Sequence, residues 1–120
     1  MRVVQFGNPL PPQTEGNPMF RGVVHMQELV GPPEAQTVRV LEVTFRPGAR
    51  TAWHTHSTDQ YLFVTNGHGF VVNEEGEVPI REGDLVFVPA GERHAHGASA
   101  DSDMTHMAIM TPCENVIEDD

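Results

Sequence analysis

Ten prolines and eleven glycines are spaced so closely along this chain that no stretch longer than about ten residues carries apolar positions at helical spacing. What lies between the breaks is short and rich in Val, Ile, Thr and Phe, the lengths and side chains of strands. Thr37 to Phe45 ends at Arg46-Pro47-Gly48, and Gln60 to Thr65 ends at Asn66-Gly67. Phe70 to Asn73 is followed by a turn at Glu74-Glu75-Gly76, Glu77 to Ile80 by one at Glu82-Gly83-Asp84, and Leu85 to Val88 by Pro89-Ala90-Gly91. His94 to His96 and Met104 to Met110 complete the series. Short strands with regular turn signals predict an all-β sandwich or barrel.

At 120 residues one fold carries everything: a single domain, 1–120, with an N-terminal arm and strand over 1–35, a barrel core over 36–112 and an acidic tail over 113–120. The arm opens with Pro9, Pro11, Pro12 and Pro18. Phe20 to Leu29 then reads as a strand before the break at Gly31-Pro32-Pro33, one that a partner subunit would cover in a homodimer or higher homo-oligomer. The tail, with Glu114, Glu118, Asp119 and Asp120, reads as a solvated end.

Seventeen acidic residues against seven Lys plus Arg give a formal charge of −10, and the basic residues stand singly. Nothing could track a phosphate backbone or an anionic bilayer, so the expected partner is a small-molecule substrate, with no nucleic acid and no membrane. The single Cys113 allows no intramolecular disulfide, and Met1 to Leu10 lacks the apolar run of a signal peptide, which together predict a reducing, cytoplasmic setting. Pro112 and Glu114 offer Cys113 nothing that would lower its pKa.

Seven histidines are many for this length, and five fall into His54-x-His56, His94-x-His96 and a lone His106. Residues at i and i+2 of a strand share a face, so each pair points one way, and Gln60 keeps the parity of His56 if the strand runs on. Two neighbouring strands can thus aim three imidazoles and an amide oxygen at one point, a borderline donor set for a metal with open positions. His25 and His68 fit no such spacing. Leu62, Val64, Leu85 and Phe87 are expected in the core or pocket wall, Thr51 and Trp53 near the pocket mouth with Trp53 mainly packing, while the inward set of Val40 to Val43 is left open by its pattern.

The frame around these residues resembles a known family. Gly48, five residues, His54-Thr55-His56, three residues, Gln60, six residues and Gly67 follow the first cupin motif. Gly83, five residues, Pro89-Ala90-Gly91, two residues and His94 follow the second. The resemblance implies a small cupin (jelly-roll) β-barrel of two antiparallel sheets, with metal ligands at His54, His56, Gln60 and His94. Two positions depart from the pattern: Gln60 stands where Glu is usual, and Ala98 where an Asn often closes the second motif.

A neutral amide leaves a divalent ion with its full charge in a water-poor barrel, which favours Lewis-acid chemistry and counts against cycling iron between oxidation states. The runs from Pro47 to His56, His94 to Ala98 and Met104 to Ile109 are similar to the bacterial cupin hydroxynitrile lyases, which use manganese or iron on three His and a Gln. That likeness implies one divalent transition-metal ion, Mn or Fe ahead of Zn or Ni, and reversible cleavage of a cyanohydrin to an aldehyde and HCN with the substrate hydroxyl on the metal. His106 and His96 are the candidate catalytic bases, or else supports that orient the ligands. An iron-dependent dioxygenase and a non-enzymatic metal or small-molecule binding module are the alternatives.

Overall fold

Eleven β-strands and no helix are found among the residues that the computed structural model describes, 1–7 and 9–120. They are β1 (Phe20–Arg21), β2 (Val24–Val30), β3 (Arg39–Phe45), β4 (Arg50–Thr51), β5 (His54–His56) and β6 (Gln60–Asn73). β7 (Gly76–Arg81), β8 (Leu85–Val88), β9 (Ala95–Ala98), β10 (Met104–Met110) and β11 (Asn115–Ile117) follow. Nine form a nearly closed antiparallel sheet in the order β1-β4-β9-β6-β10-β3-β2, with β7 and β8 also paired to β6; β11 and β5 make a small second sheet.

The long strand β6 is what closes the barrel. Its first half pairs with β10 and β8, its second half with β7 and β9, so one strand passes from one wall into the other. The turn expected at Asn66-Gly67 is therefore not a chain reversal. Gly67 has φ +73°, and a Cβ there would lie 1.8 Å from the carbonyl oxygen of Asp103. The register against β10 slips by one residue at the same place, so the glycine serves a bend within the strand rather than a hairpin.

Alternation along the strands divides the interior. Val24, Val43, Phe45, Ala49, Val64, Ile80, Ala98 and Met104 form a buried core. Fully burying a side chain the size of Phe45 or Met104 stabilises the fold by about 1.5–3 kcal/mol. On β3 the cavity set is Arg39, Leu41 and Val43. Glu42 faces the opposite way yet is fully buried, close to Gly7 of the arm and hydrogen-bonded by Gln27 Nε2 at 3.0 Å.

Three expectations need correction. Leu85 and Phe87 are not core: they are 63% and 54% exposed, while Val88 is buried. β8 is apolar at all four positions, so its parity is set by pairing, and Phe87 opposite Tyr61 shares that residue's outward face. The strand expected over Phe20 to Leu29 is broken at Gly22-Val23; β2 pairs with β3 on one side, and on the other residues 12–14 of its own arm run along Val24 to Met26. The acidic tail is not a free solvated end: β11 pairs in register with β5.

Candidate metal centre and cavity

β5 carries His54 and His56 two residues apart, and both are buried because that side of β5 faces into the barrel. His94 precedes β9 and is tied to His54 by a two-bond bridge, His54 N donating to His94 O at 2.9 Å and His94 N to His54 O at 3.0 Å. One ligand-capable atom from each of His54, His56 and His94 lies within 4.8 Å of the others, so the three imidazoles could hold a metal ion.

The hydrogen bonds decide which nitrogen of each ring is free. His54 Nδ1 donates to the carbonyl of Ala52 at 2.7 Å, His94 Nδ1 to the carbonyl of Glu92 at 2.9 Å and His56 Nδ1 to the side-chain oxygen of Asn115 at 2.6 Å. All three acceptors are oxygens that cannot donate, so each Nδ1 carries the proton and each Nε2 keeps a lone pair. His56 Nε2, His94 Nε2 and Gln60 Oε1 are buried with no hydrogen-bond partner. Leaving a buried acceptor unpaired costs about 1–3 kcal/mol, and three convergent ones form a donor set that a cation would satisfy. Gln60 is placed by the first residue of β6 and donates its amide to Met110 Sδ at 3.6 Å, which leaves the carbonyl oxygen free.

His54, His56 and Gln60 line a cavity of about 250 Å³, and His94 stands behind them, its ring 4.3 Å from that of His54. His96 and His106, both buried, also line the cavity, with His106 Nε2 3.2 Å from His96 Nδ1, and the His96 ring lies 5.6 Å from that of His94 and 5.7 Å from that of His54. Phe45, itself part of the buried core, packs against both rings with centroids 5.7 and 5.5 Å away. The backbone N–H of His96 donates to Thr51 Oγ1, which fixes the start of β9 against β4. Thr51 does line the cavity, whereas Trp53 lies outside its lining and carries the Arg93 guanidinium 4.1 Å over its ring. His25 and His68 are engaged elsewhere, with the carbonyl of Pro11 and the hydroxyl of Ser99. Cys113 stands at the cavity edge, its thiol pushed up by burial.

Burial holds the histidines neutral. His54 is pushed down to about 3 by loss of solvent and by His94, and His106 to about 4 by burial. His96 is held well below its ordinary 6.5, and His56 and His94 are lowered, all chiefly by desolvation. In the unfolded chain each titrates near 6.5. Between that pH and about 4 the unfolded state binds protons that the folded state refuses, so stability is fully present above pH 6.5 and is lost as pH falls. Each histidine that stays neutral costs roughly 1.4 kcal/mol per pH unit in that window. Urea unfolding of metal-free protein is expected to show a midpoint that drops steeply from pH 6.5 to 4.5; a flat profile would contradict neutral burial.

Sequence reasoning missed the wall contributed by the C-terminal segment, where Cys113, Asn115 and Ile117 line the cavity. The available signal was the strand-forming Val116-Ile117 pair inside an otherwise acidic tail. It also missed Met19, Phe20 and Met26, apolar residues with nothing in their pattern to mark a cavity.

Residues 41–110 match the Cupin_2 family, described as a cupin domain. An (R)-mandelonitrile lyase from Granulicella tundricola is 47% identical over 91 residues, which cover 75% of this chain and 70% of that protein. The crystal structure of a cupin-like protein from Thermotoga maritima superposes with a TM-score of 0.82 at 32% identity, over 91% of this chain and 86% of that one. The polyketide cyclase RemF from Streptomyces resistomycificus reaches the same TM-score at 17% identity, over 100% of this chain and 89% of its own, a likeness of fold alone.

Proposed function

Since the chain belongs to the cupin domain family, whose barrel supplies walls while the lining residues set the chemistry, we propose that it is a metal-dependent lyase of the hydroxynitrile-lyase kind. Its reaction is the reversible cleavage of a cyanohydrin to an aldehyde and hydrogen cyanide. The observation that carries this reading is one small cavity beside which a partnerless donor set and a hydrogen-bonded histidine pair come together. The 47% identity to a protein named (R)-mandelonitrile lyase supports the choice of reaction.

His54, His56, His94 and Gln60 would hold one divalent ion, manganese or iron, which when bound supplies Lewis acidity toward a substrate oxygen. The four donors are neutral, so none offsets the charge of the ion, a feature that favours polarisation over a change of oxidation state.

The remaining steps belong to the chain. Of the two ways to share the proton between His106 and His96, one has His106 Nε2–H donate to His96 Nδ1 and leaves His106 Nδ1 as a bare acceptor. The other buries Nδ1–H as an orphan donor, the rarer arrangement in folded proteins. In the first, His106 Nδ1 takes the hydroxyl proton as the bond from the carbinol carbon to the nitrile carbon breaks. The electron pair leaves with cyanide, and His106 returns its proton to that ion to give HCN. The resulting imidazolium is stabilised by its bond to His96.

The cavity volume of about 250 Å³ restricts the substrate to a small molecule, since pockets for drug-sized ligands begin near ~300 Å³. Leu41, Val43, Ala108 and Met110 make its walls largely apolar.

The test is release of cyanide from mandelonitrile by protein loaded with manganese(II), with metal-free protein as the control. Oxygen consumption by anaerobically iron-loaded protein given a diketone or thiol, without cyanide release, would replace this proposal with the dioxygenase reading.

A further inference from the structure

We infer that the C-terminal segment 113–120 is a built part of this site, a strap whose Asn115 fixes the tautomer and orientation of His56. This rests on the metal reading above and adds a positioning residue to it.

The argument begins with an asymmetry among the three imidazoles. His54 and His94 each donate Nδ1–H to the main-chain carbonyl two residues before them, at Ala52 and Glu92. Such a partner comes with the local backbone. The corresponding carbonyl for His56 belongs to His54, and it is taken by the amide of His94. His56 is instead held by a side chain 59 residues away, Asn115 Oδ1 at 2.6 Å. That oxygen only accepts, so the proton is kept on Nδ1 and the Nε2 lone pair is presented to the cavity. Asn115 stands directly opposite His56 in the β11–β5 register, and Val116 and Ile117 stand opposite Thr55 and His54.

The strap is anchored along its length. Ser57 N donates to Glu114 O at 3.0 Å, Glu114 N to Ser57 Oγ at 2.9 Å and Glu118 N to Trp53 O at 2.9 Å. The Glu118 carboxylate receives both arms of the Arg93 guanidinium, one of them at 2.9 Å, and Arg93 is itself stacked on Trp53. Asp120 accepts from Arg50 at 3.4 Å and from Trp53 N at 3.3 Å and lies 3.7 Å from Arg21. Three of the seven Lys plus Arg residues of a chain at −10 are thus spent on holding down its acidic tail. The consequence is a metal site whose affinity depends on residues at the chain terminus.

The experiment compares full-length wild type with Asn115→Ala, Asn115→Leu and Asn115→Asp. Manganese(II) affinity is measured by competition with a chelator, and the His56 tautomer in metal-free protein by long-range proton–nitrogen NMR. Loss of the acceptor in the Ala and Leu variants should weaken manganese binding about 10- to 100-fold and release His56 into a mixture of tautomers. Asn115→Asp restores an acceptor and should recover both properties. Asn115→Ala with affinity within about twofold of wild type, or with His56 still wholly Nδ1-protonated, overturns the assignment. Failure of wild type itself to bind manganese would remove the metal reading, while the tautomer measurement would still decide the role of Asn115.

Discussion

Replacing His94 by alanine is expected to weaken the binding of manganese(II) by about 70-fold, since four ligands sharing a binding energy of order 10 kcal/mol contribute about 2.5 kcal/mol each. His94 is fully buried, its Nε2 has no other partner, and the neighbouring His96 imidazole is already hydrogen-bonded to His106, so the substitution removes one donor from the set. The metal-free fold should tolerate the change. Wild type without an ion already carries the cost of an unpaired Nε2 at this position, and the substitution removes that atom while opening a small cavity. The two effects oppose, and the separation between them is what identifies a ligand rather than a core residue. An ion present at a thousand times its wild-type Kd adds about 4 kcal/mol to wild-type stability by mass action, and at the same concentration this increment should fall to about 1.6 kcal/mol in His94→Ala. Thermal melts with and without manganese measure both quantities at once. His68→Ala, altered at a histidine that touches Ser99 and lies outside the cavity, serves as the control. A His94→Ala protein that keeps the full metal-dependent rise in Tm would refute the donor set.

The second large effect is on turnover. His106→Ala should lower kcat for cyanohydrin cleavage by about 10²- to 10⁴-fold, the range for loss of a general base, while leaving manganese stoichiometry at wild type. His106 can be separated from the donor set because its ring is carried by a different strand, β10, and is bonded to His96 rather than to His54, His56 or His94. Its burial keeps it neutral down to about pH 4, so it is in the accepting form throughout the neutral range. His96→Ala should have the smaller effect, since it removes the group that stabilises protonated His106 and not the proton acceptor itself. Steady-state kinetics on the two variants decide the order; equal activity of His106→Ala and wild type would sink the assignment of the base.

Much of the architecture is legible in local chemistry. The dense Gly and Pro punctuation excludes long helices whatever the tertiary context, because neither residue is tolerated through a helix interior, and short β-branched segments between turns leave a barrel or sandwich. The i, i+2 spacing of His54 and His56 places both rings on one face of β5 because the strand period is two. What misled was local chemistry that serves a different purpose in three dimensions. Gly67 looks like the centre of a hairpin turn, but it sits in β6 where Asp103 approaches too closely for a Cβ. Leu85 and Phe87 look like core, but four consecutive apolar residues carry no parity, and pairing with Tyr61 and Phe63 turns them outward. The tail looks solvated because a count of carboxylates takes no account of which guanidinium groups face them.

The sequence by itself determined the strand-and-turn plan, the shared faces of the two His-x-His pairs and the neutrality of the donor residue types, since these depend on backbone period and side-chain chemistry alone. Only the tertiary structure decided that His94 joins His54 and His56 while His96 turns to His106, and that Asn115 reaches His56 from 59 residues away. Those outcomes follow from cross-strand register and chain closure, in which residues far apart in sequence compete for the same hydrogen bonds, and spacing along one chain does not encode who wins that competition.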